Sequence, residues 1–241
     1  MQRVFRSRGI RLIKSNGDIS YKEKVYYEPD DSYEIKNLQV NDLQANGIIS
    51  LFEYSVVDKE IDAFNFHVNL NCDYQDIYDG IPKCICNEIK EMHSVLGDPF
   101  KNYTIGYKFK DTVITGRSYY YYPTVWKKTR YGIEGITDAS VIKEKLNKFY
   151  GHIDLNEKLC SDEKETFISY MYKLKGISIS YEQDGMNYKV YGRIEMRQLK
   201  SLLKNYMGYD LKDNGSYGPV VLVAQRICNS VIVGYNIYYL V

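Results

Sequence analysis

Long apolar runs are missing from this chain, and no stretch approaches the roughly 20 apolar residues that a membrane helix needs. The opening segment, MQRVFRSRGIRLIK, is basic but carries no apolar core of the secretory kind, so a cytoplasmic location and no membrane partner are expected. Charge of one sign is missing too. Thirty-two basic residues stand against 31 acidic ones, a net charge of +1, and no global field draws the protein onto nucleic acid. Cysteine is sparse: Cys72, Cys84, Cys86, Cys160 and Cys228 are an odd number at no framework spacing. The Cys84-Ile85-Cys86 pair has no second pair or histidine cluster at zinc-finger spacing, so reduced thiols are expected and no metal ligand is assigned. No linker rich in Pro or Ser divides the chain, and residues 1–241 read as one domain. The glycine-rich nucleotide loop G-x-x-x-x-G-K-[ST], the G-x-S-x-G elbow and the H-E-x-x-H zinc motif are all absent.

Tyrosine, by contrast, is abundant: 26 Tyr beside one Trp. Tyrosine suits a half-buried strand and presents a hydroxyl to a polar ligand, although strand propensity alone accounts for such an excess equally well. The most informative stretch is GISISYEQDGMNYKVYGRIEMRQLKSLLK, residues 176–204. It reads as a strand, a turn at Gln183-Asp184-Gly185, a second strand, then a helix over 195–206. Strand side chains alternate between faces. Lys189, Tyr191 and Arg193 therefore share one face, and Tyr188, Val190, Gly192 and Ile194 the other.

The remaining chain repeats this plan. Strands over 3–13 and 19–27 flank an Asn16-Gly17 hairpin signal. A short helix is expected over 32–43, then strands over 48–57 and 61–70. Phe64, Phe66, Val68 and Leu70 share one face of the latter, and Asn65, His67 and Asn69 the other. Residues 73–96 read as helical, with Pro82 imposing a kink or marking a start near Ile81. A strand over 103–110 precedes Arg117-Ser118-Tyr119-Tyr120-Tyr121-Tyr122, in which Arg117, Tyr119 and Tyr121 share a face. Asp138 is the expected N-cap of a helix over 139–150, with Gly151 as its stop. A second helix is expected over about 162–173. Strands over 219–226 and 231–241 end the chain, with a turn at Cys228-Asn229-Ser230.

Five strand pairs give about ten antiparallel strands in repeated ββα units. An α+β barrel ringed by helices buries the apolar faces, turns the basic and tyrosine-rich face inward and removes sheet edges. An open α+β sheet with that face in solvent satisfies the same alternation.

The pair count, the repeated units, the steps Arg117-x-Tyr119 and Lys189-x-Tyr191-x-Arg193, and the ending Val231-Ile-Val-Gly-Tyr-Asn-Ile-Tyr-Tyr-Leu240 resemble the ABBA prenyltransferases, most of all their peptide-modifying, cyanobactin-type branch. The resemblance implies a PT-barrel of ten strands that moves an isoprenyl group from an allylic diphosphate to an aromatic or peptide acceptor. It also implies that Arg117, Lys189, Tyr191 and Arg193 bind diphosphate and that Tyr119 shields the carbocation, with Asn236 and Tyr238 as further matches. Ionisation builds charge on the leaving diphosphate, and Lys108 and Lys110 supply further cations for it. Tyr121 adds a further ring to shield the cation. Glu53 and His67 are candidates to take the acceptor proton, against plain readings as an exposed carboxylate and a structural histidine. The aspartate-rich pairs that hold Mg²⁺ in helical isoprenoid synthases are absent. Members of the resembled family differ in using Mg²⁺, so that cofactor stays open. The competing reading is a tyrosine-lined, non-enzymatic module for a peptide, a small ligand or single-stranded nucleic acid.

Overall fold

Two short turns show how the sequence makes its hairpins. Asn16 and Gly17 both take positive φ, 51° and 88°, the conformation that a two-residue turn between twisted strands demands. They join β1 (Val4–Ser15) to β2 (Asp18–Glu28). Asn229 and Ser230, at φ 49° and 60°, do the same between β9 (Val220–Cys228) and β10 (Val231–Tyr239). The computed structural model describes residues 4–28, 48–57, 60–69, 83–97, 102–110, 113–122, 135–182, 185–212 and 218–239. The expected helix over 32–43 and the Pro82 kink lie outside them.

The other strands are β3 (Ile48–Val57), β4 (Glu60–Asn69), β5 (Asn102–Lys110), β6 (Val113–Tyr122), β7 (Met171–Glu182) and β8 (Gly185–Glu195). Four helices are described: α1 (Lys83–Leu96), α2 (Ala139–His152), α3 (Glu157–Tyr170) and α4 (Met196–Leu202), the last continuing as a π turn over Leu203–Met207. Asp138 caps α2, its carboxylate accepting from the amides of Ser140 and Val141. Gly151 lies inside α2 rather than ending it. The helix expected over 162–173 stops at Tyr170, because Met171 opens β7 opposite Ile194. Met171 and Leu174 are buried and Tyr172 is 45% exposed, a spacing that a helix would also give, and the ladder to β8, irregular between Met171 and Lys173, is what makes this segment strand.

The protein is a mixed α+β structure with all its ladders antiparallel. Seven neighbouring strands, β2-β1-β10-β9-β8-β7-β6, form a wall with side chains described across it. The backbones of β3, β4 and β5 complete the ring, in the order β1-β10-β9-β8-β7-β6-β5-β4-β3-β2. Its seam is the ladder between β1 and β10, with Ile10 opposite Ile237 and Leu12 opposite Tyr235. At that seam Gly234 sits at φ +154°, and a Cβ there would lie 2.0 Å from the carbonyl oxygen of Leu12. Only glycine allows so close an approach.

One face of the wall is packed against helices. Leu12, Ile177, Ile179, Val190, Ile194, Val223 and Ile237 are buried there with Phe149 of α2, Phe167 of α3 and Leu199 of α4. Each such side chain contributes about 1.5–3 kcal/mol on burial. Four helices, each about 10 Å across, do not fit inside a ten-stranded ring, so this is the outer face and the opposite face lines the interior. No helix among the described residues is long and apolar enough to cross a membrane.

Candidate functional site

Register carries each interior side chain across the wall in rows. The first row runs Tyr120, Ser178, Lys189, Arg226, Gly234, Ile13, from β6 to β1. The second runs Gly176, Tyr191, Ala224, Asn236, Arg11. A third runs Lys173, Arg193, Leu222, Tyr238, Gly9, Lys24. At least one lysine or arginine therefore stands on every row, beside tyrosine and small residues.

The tyrosines form an arc. Tyr120, Tyr191 and Tyr238 come from alternate strands, with ring centroids 6.1 Å apart for the first pair and 6.3 Å for the second. Small residues on the intervening strands, Ser178 and Ala224, leave the space that brings rings on β6, β8 and β10 into contact. Ser178 Oγ donates to the Tyr191 hydroxyl at 3.4 Å, and Asn236 Nδ2 donates to that of Tyr238 at 3.0 Å. Asn236 is 5% exposed, and its Oδ1 has no hydrogen-bond partner among the described residues. Arg11 Nε, on the residue directly opposite in the ladder, is also buried without one. Buried polar atoms seldom stay unsatisfied, so a polar ligand or ordered water belongs beside this pair.

Of the residues expected from sequence, the structure groups Lys189, Tyr191, Arg193, Asn236 and Tyr238 on this interior face. Tyr119 is corrected. It is 5% exposed within the apolar core, with Ile179 opposite it, and so belongs to the helix-packed face. The interior position on β6 belongs to Tyr120. Arg117 and Tyr121 lie opposite Tyr107 and Ile177 along the same strand, and their side chains are outside those described. The same is true of Glu53, His67, Lys108 and Lys110, for which register alone speaks. Glu53 is opposite Asn65, and Asn65 is opposite Lys108. His67 is opposite Gly106, and Lys110 is opposite Val113.

Sequence reasoning missed Arg11, Lys24, Tyr120 and Arg226. Arg11 carries a signal in hindsight, since it alternates with the buried apolar neighbours Ile10 and Leu12, whereas Arg226 stands between the polar Gln225 and Ile227 and carries none.

Behind the interior face lies a second polar feature. Tyr150 donates to Gln225 Oε1 at 2.7 Å, Gln225 Nε2 donates to the Tyr235 hydroxyl at 3.2 Å, and Tyr235 donates to Glu163 Oε1 at 2.5 Å. Burial pushes the Glu163 carboxyl above its ordinary range, and the Tyr235 hydrogen bond and the charge of Lys14 oppose that shift. Burial and the Glu163 charge hold the Tyr150 and Tyr235 hydroxyls protonated far beyond neutral pH. This chain of contacts pins α2 and α3 to β9 and β10.

The interior as a whole offers cations, hydroxyl donors and aromatic faces on adjacent strands. Side chains of these kinds are chemically suited to a polyanion and to a neighbouring cation. In comparison with known proteins, no family model matches this chain and no curated protein matches it.

Proposed function

We propose that the barrel interior binds an allylic isoprenyl diphosphate and transfers the isoprenyl group to an aromatic or peptide acceptor. The observation that carries this reading is the placement of Lys189 and Arg226 side by side on one row, with the Tyr120–Tyr191–Tyr238 arc reaching across the neighbouring rows. In this reading the chain is a prenyltransferase of PT-barrel type, its hairpins and helices acting as repeated ββα units.

Ionisation breaks the bond between the allylic carbon and the diphosphate oxygen, and the electron pair leaves with the diphosphate. Arg226, Lys189 and Arg193 neutralise the growing negative charge, the arginines through their planar forks and the lysine as a point charge. The tyrosine faces shelter the allylic cation and keep water from it. The acceptor then forms a bond to the cationic carbon and loses a proton. Glu53 and His67 remain the proposed proton acceptors, from adjoining strands whose backbones complete the ring. The central rows named above hold no carboxylate. Any Mg²⁺ would therefore take its ligands from diphosphate oxygens and water, and no protein residue described here is assigned to it.

Calorimetric titration with a non-hydrolysable dimethylallyl or geranyl diphosphate analogue tests the reading. Micromolar binding by the protein, weakened at least tenfold in Lys189→Ala and in Arg226→Ala, is the expected result. A folded protein that binds neither analogue, with or without Mg²⁺, refutes it. Saturable binding of a peptide or oligonucleotide in the same sample would then identify a tyrosine-lined binding module.

A further inference from the structure

We propose that Glu88, Glu91 and His152 form a divalent-cation site of zinc-like preference on the outside of the barrel, tying α1 to α2. The site is independent of the interior and of any diphosphate bound there.

Glu88 and Glu91 stand three residues apart on α1, a spacing that puts them on one helix face. His152 is the last residue of α2 and reaches them from a second element. Its Nε2 lies 2.9 Å from Glu88 Oε1 and 3.9 Å from Glu91 Oε2, and one donor atom from each residue falls within 4.8 Å of the others. Zinc bonds oxygen and nitrogen at about 2.0–2.2 Å, so donors at the corners of a tetrahedron around it lie about 3.3 Å apart. The observed separations bracket that value. The largest adjustment falls on Glu91, whose side chain is 63% exposed and free to swing.

The surroundings suit a held ion better than a loose surface pair. The Glu88 and His152 side chains are only 14% and 16% exposed. Tyr188, on the outer face of β8, donates its hydroxyl to Glu88 Oε1 at 3.0 Å and so fixes the carboxylate from the barrel wall. Outer hydrogen bonds of this kind orient ligands in metal sites. An imidazole with two carboxylates favours zinc or a neighbouring transition ion over Mg²⁺ and Ca²⁺, which prefer cages of oxygen alone. Three protein donors leave a fourth position for water. The competing account is a plain hydrogen bond between His152 Nε2 and Glu88 Oε1, which needs no metal.

The test uses the full chain after treatment with a chelator, titrated with ZnCl₂ by calorimetry and with Co²⁺ by visible absorption. A single saturable zinc site and the intense d–d bands of tetrahedral cobalt are expected, with Mg²⁺ giving no competing heat. Zinc affinity should fall at least tenfold in His152→Ala and in Glu91→Gln. The second variant alters an exposed side chain and keeps the fold. Absence of saturable zinc binding in the wild type overturns the proposal, as does unchanged affinity in either folded variant.

Discussion

Replacing Tyr235 by Phe isolates the contribution of one hydroxyl to the joint between helices and barrel. The ring keeps its place against Phe167, 6.0 Å away between centroids, so packing is conserved and only the polar contacts are lost. Those contacts are the bond donated to Glu163 and the one accepted from Gln225. A hydrogen bond to a charged group contributes about 1.5–3 kcal/mol, and Glu163 is only partly buried, which places the loss near the lower end, about 2 kcal/mol at pH 8. For a chain of this size that is a fall in Tm of about 4–8 °C.

The dependence on pH is more discriminating. The Glu163 pKa is raised from its ordinary 4.5, chiefly by burial, so folding favours the neutral carboxyl. This contribution is complete below the ordinary carboxylate pKa and disappears as pH rises through the higher folded value. The Tyr235 bond holds that folded value down. Tyr235→Phe therefore moves it further up and extends the loss to higher pH. Urea unfolding of wild type and variant at several pH values should give a difference that is small in acid and grows to its full size at pH 8. A difference constant with pH refutes the reasoning, as does a slope that survives in Glu163→Gln.

Three further outcomes follow from other parts of the molecule. Gly234→Ala places a methyl group against the β1 backbone at the seam and should destabilise the protein by about 3 kcal/mol or more in urea unfolding; a wild-type midpoint would contradict the seam. Asp138→Ala removes the α2 cap, and since hydrogen bonds from Ser140 and Val141 lower the Asp138 pKa, the Tm deficit should be present at neutral pH and vanish as pH falls through the folded value. Ala224→Phe fills the gap between Tyr191 and Tyr238 and should abolish binding of a diphosphate analogue in a protein whose circular dichroism shows an intact sheet; retained affinity would place the ligand elsewhere.

Much of the site could be read in the sequence where local chemistry decides. Asn16-Gly17 announces its turn because both residues tolerate positive φ. Asp138 announces its cap through the two amides beyond it. Lys189, Tyr191 and Arg193 stand out because every alternate neighbour on β8 is apolar or glycine. On β6 the same reasoning fails, since Tyr119 through Tyr122 present one residue type to both faces and alternation carries no phase. The ladder fixes that phase, through Ser178 opposite Tyr120 and Ile179 opposite Tyr119. Residues 171–175, Met-Tyr-Lys-Leu-Lys, extend an amphipathic helical pattern, and only pairing with β8 converts them to strand. Gln225 looks like a solvent-facing residue until Tyr150 and Tyr235 arrive from elsewhere in the chain. Glu88, Glu91 and His152 meet only because α1 and α2 pack side by side, which no local pattern expresses.

The ring has one ladder unlike the rest. Nine of its ladders join strands consecutive in sequence, and a single seam joins β1 to β10 across nearly the whole chain. Hairpins form early and cheaply, whereas this last contact waits until the full loop closes. Until then the molecule is an open ribbon with a bare strand at each end, and the two ends are complementary to each other. The exposed β1 edge of one ribbon matches the β10 edge of the next as well as it matches its own. Such pairing is head-to-tail, and where successive copies do not close into a ring it grows into filaments. Whatever weakens the seam therefore acts twice, lowering the stability of the folded protein and prolonging the life of the form that polymerises.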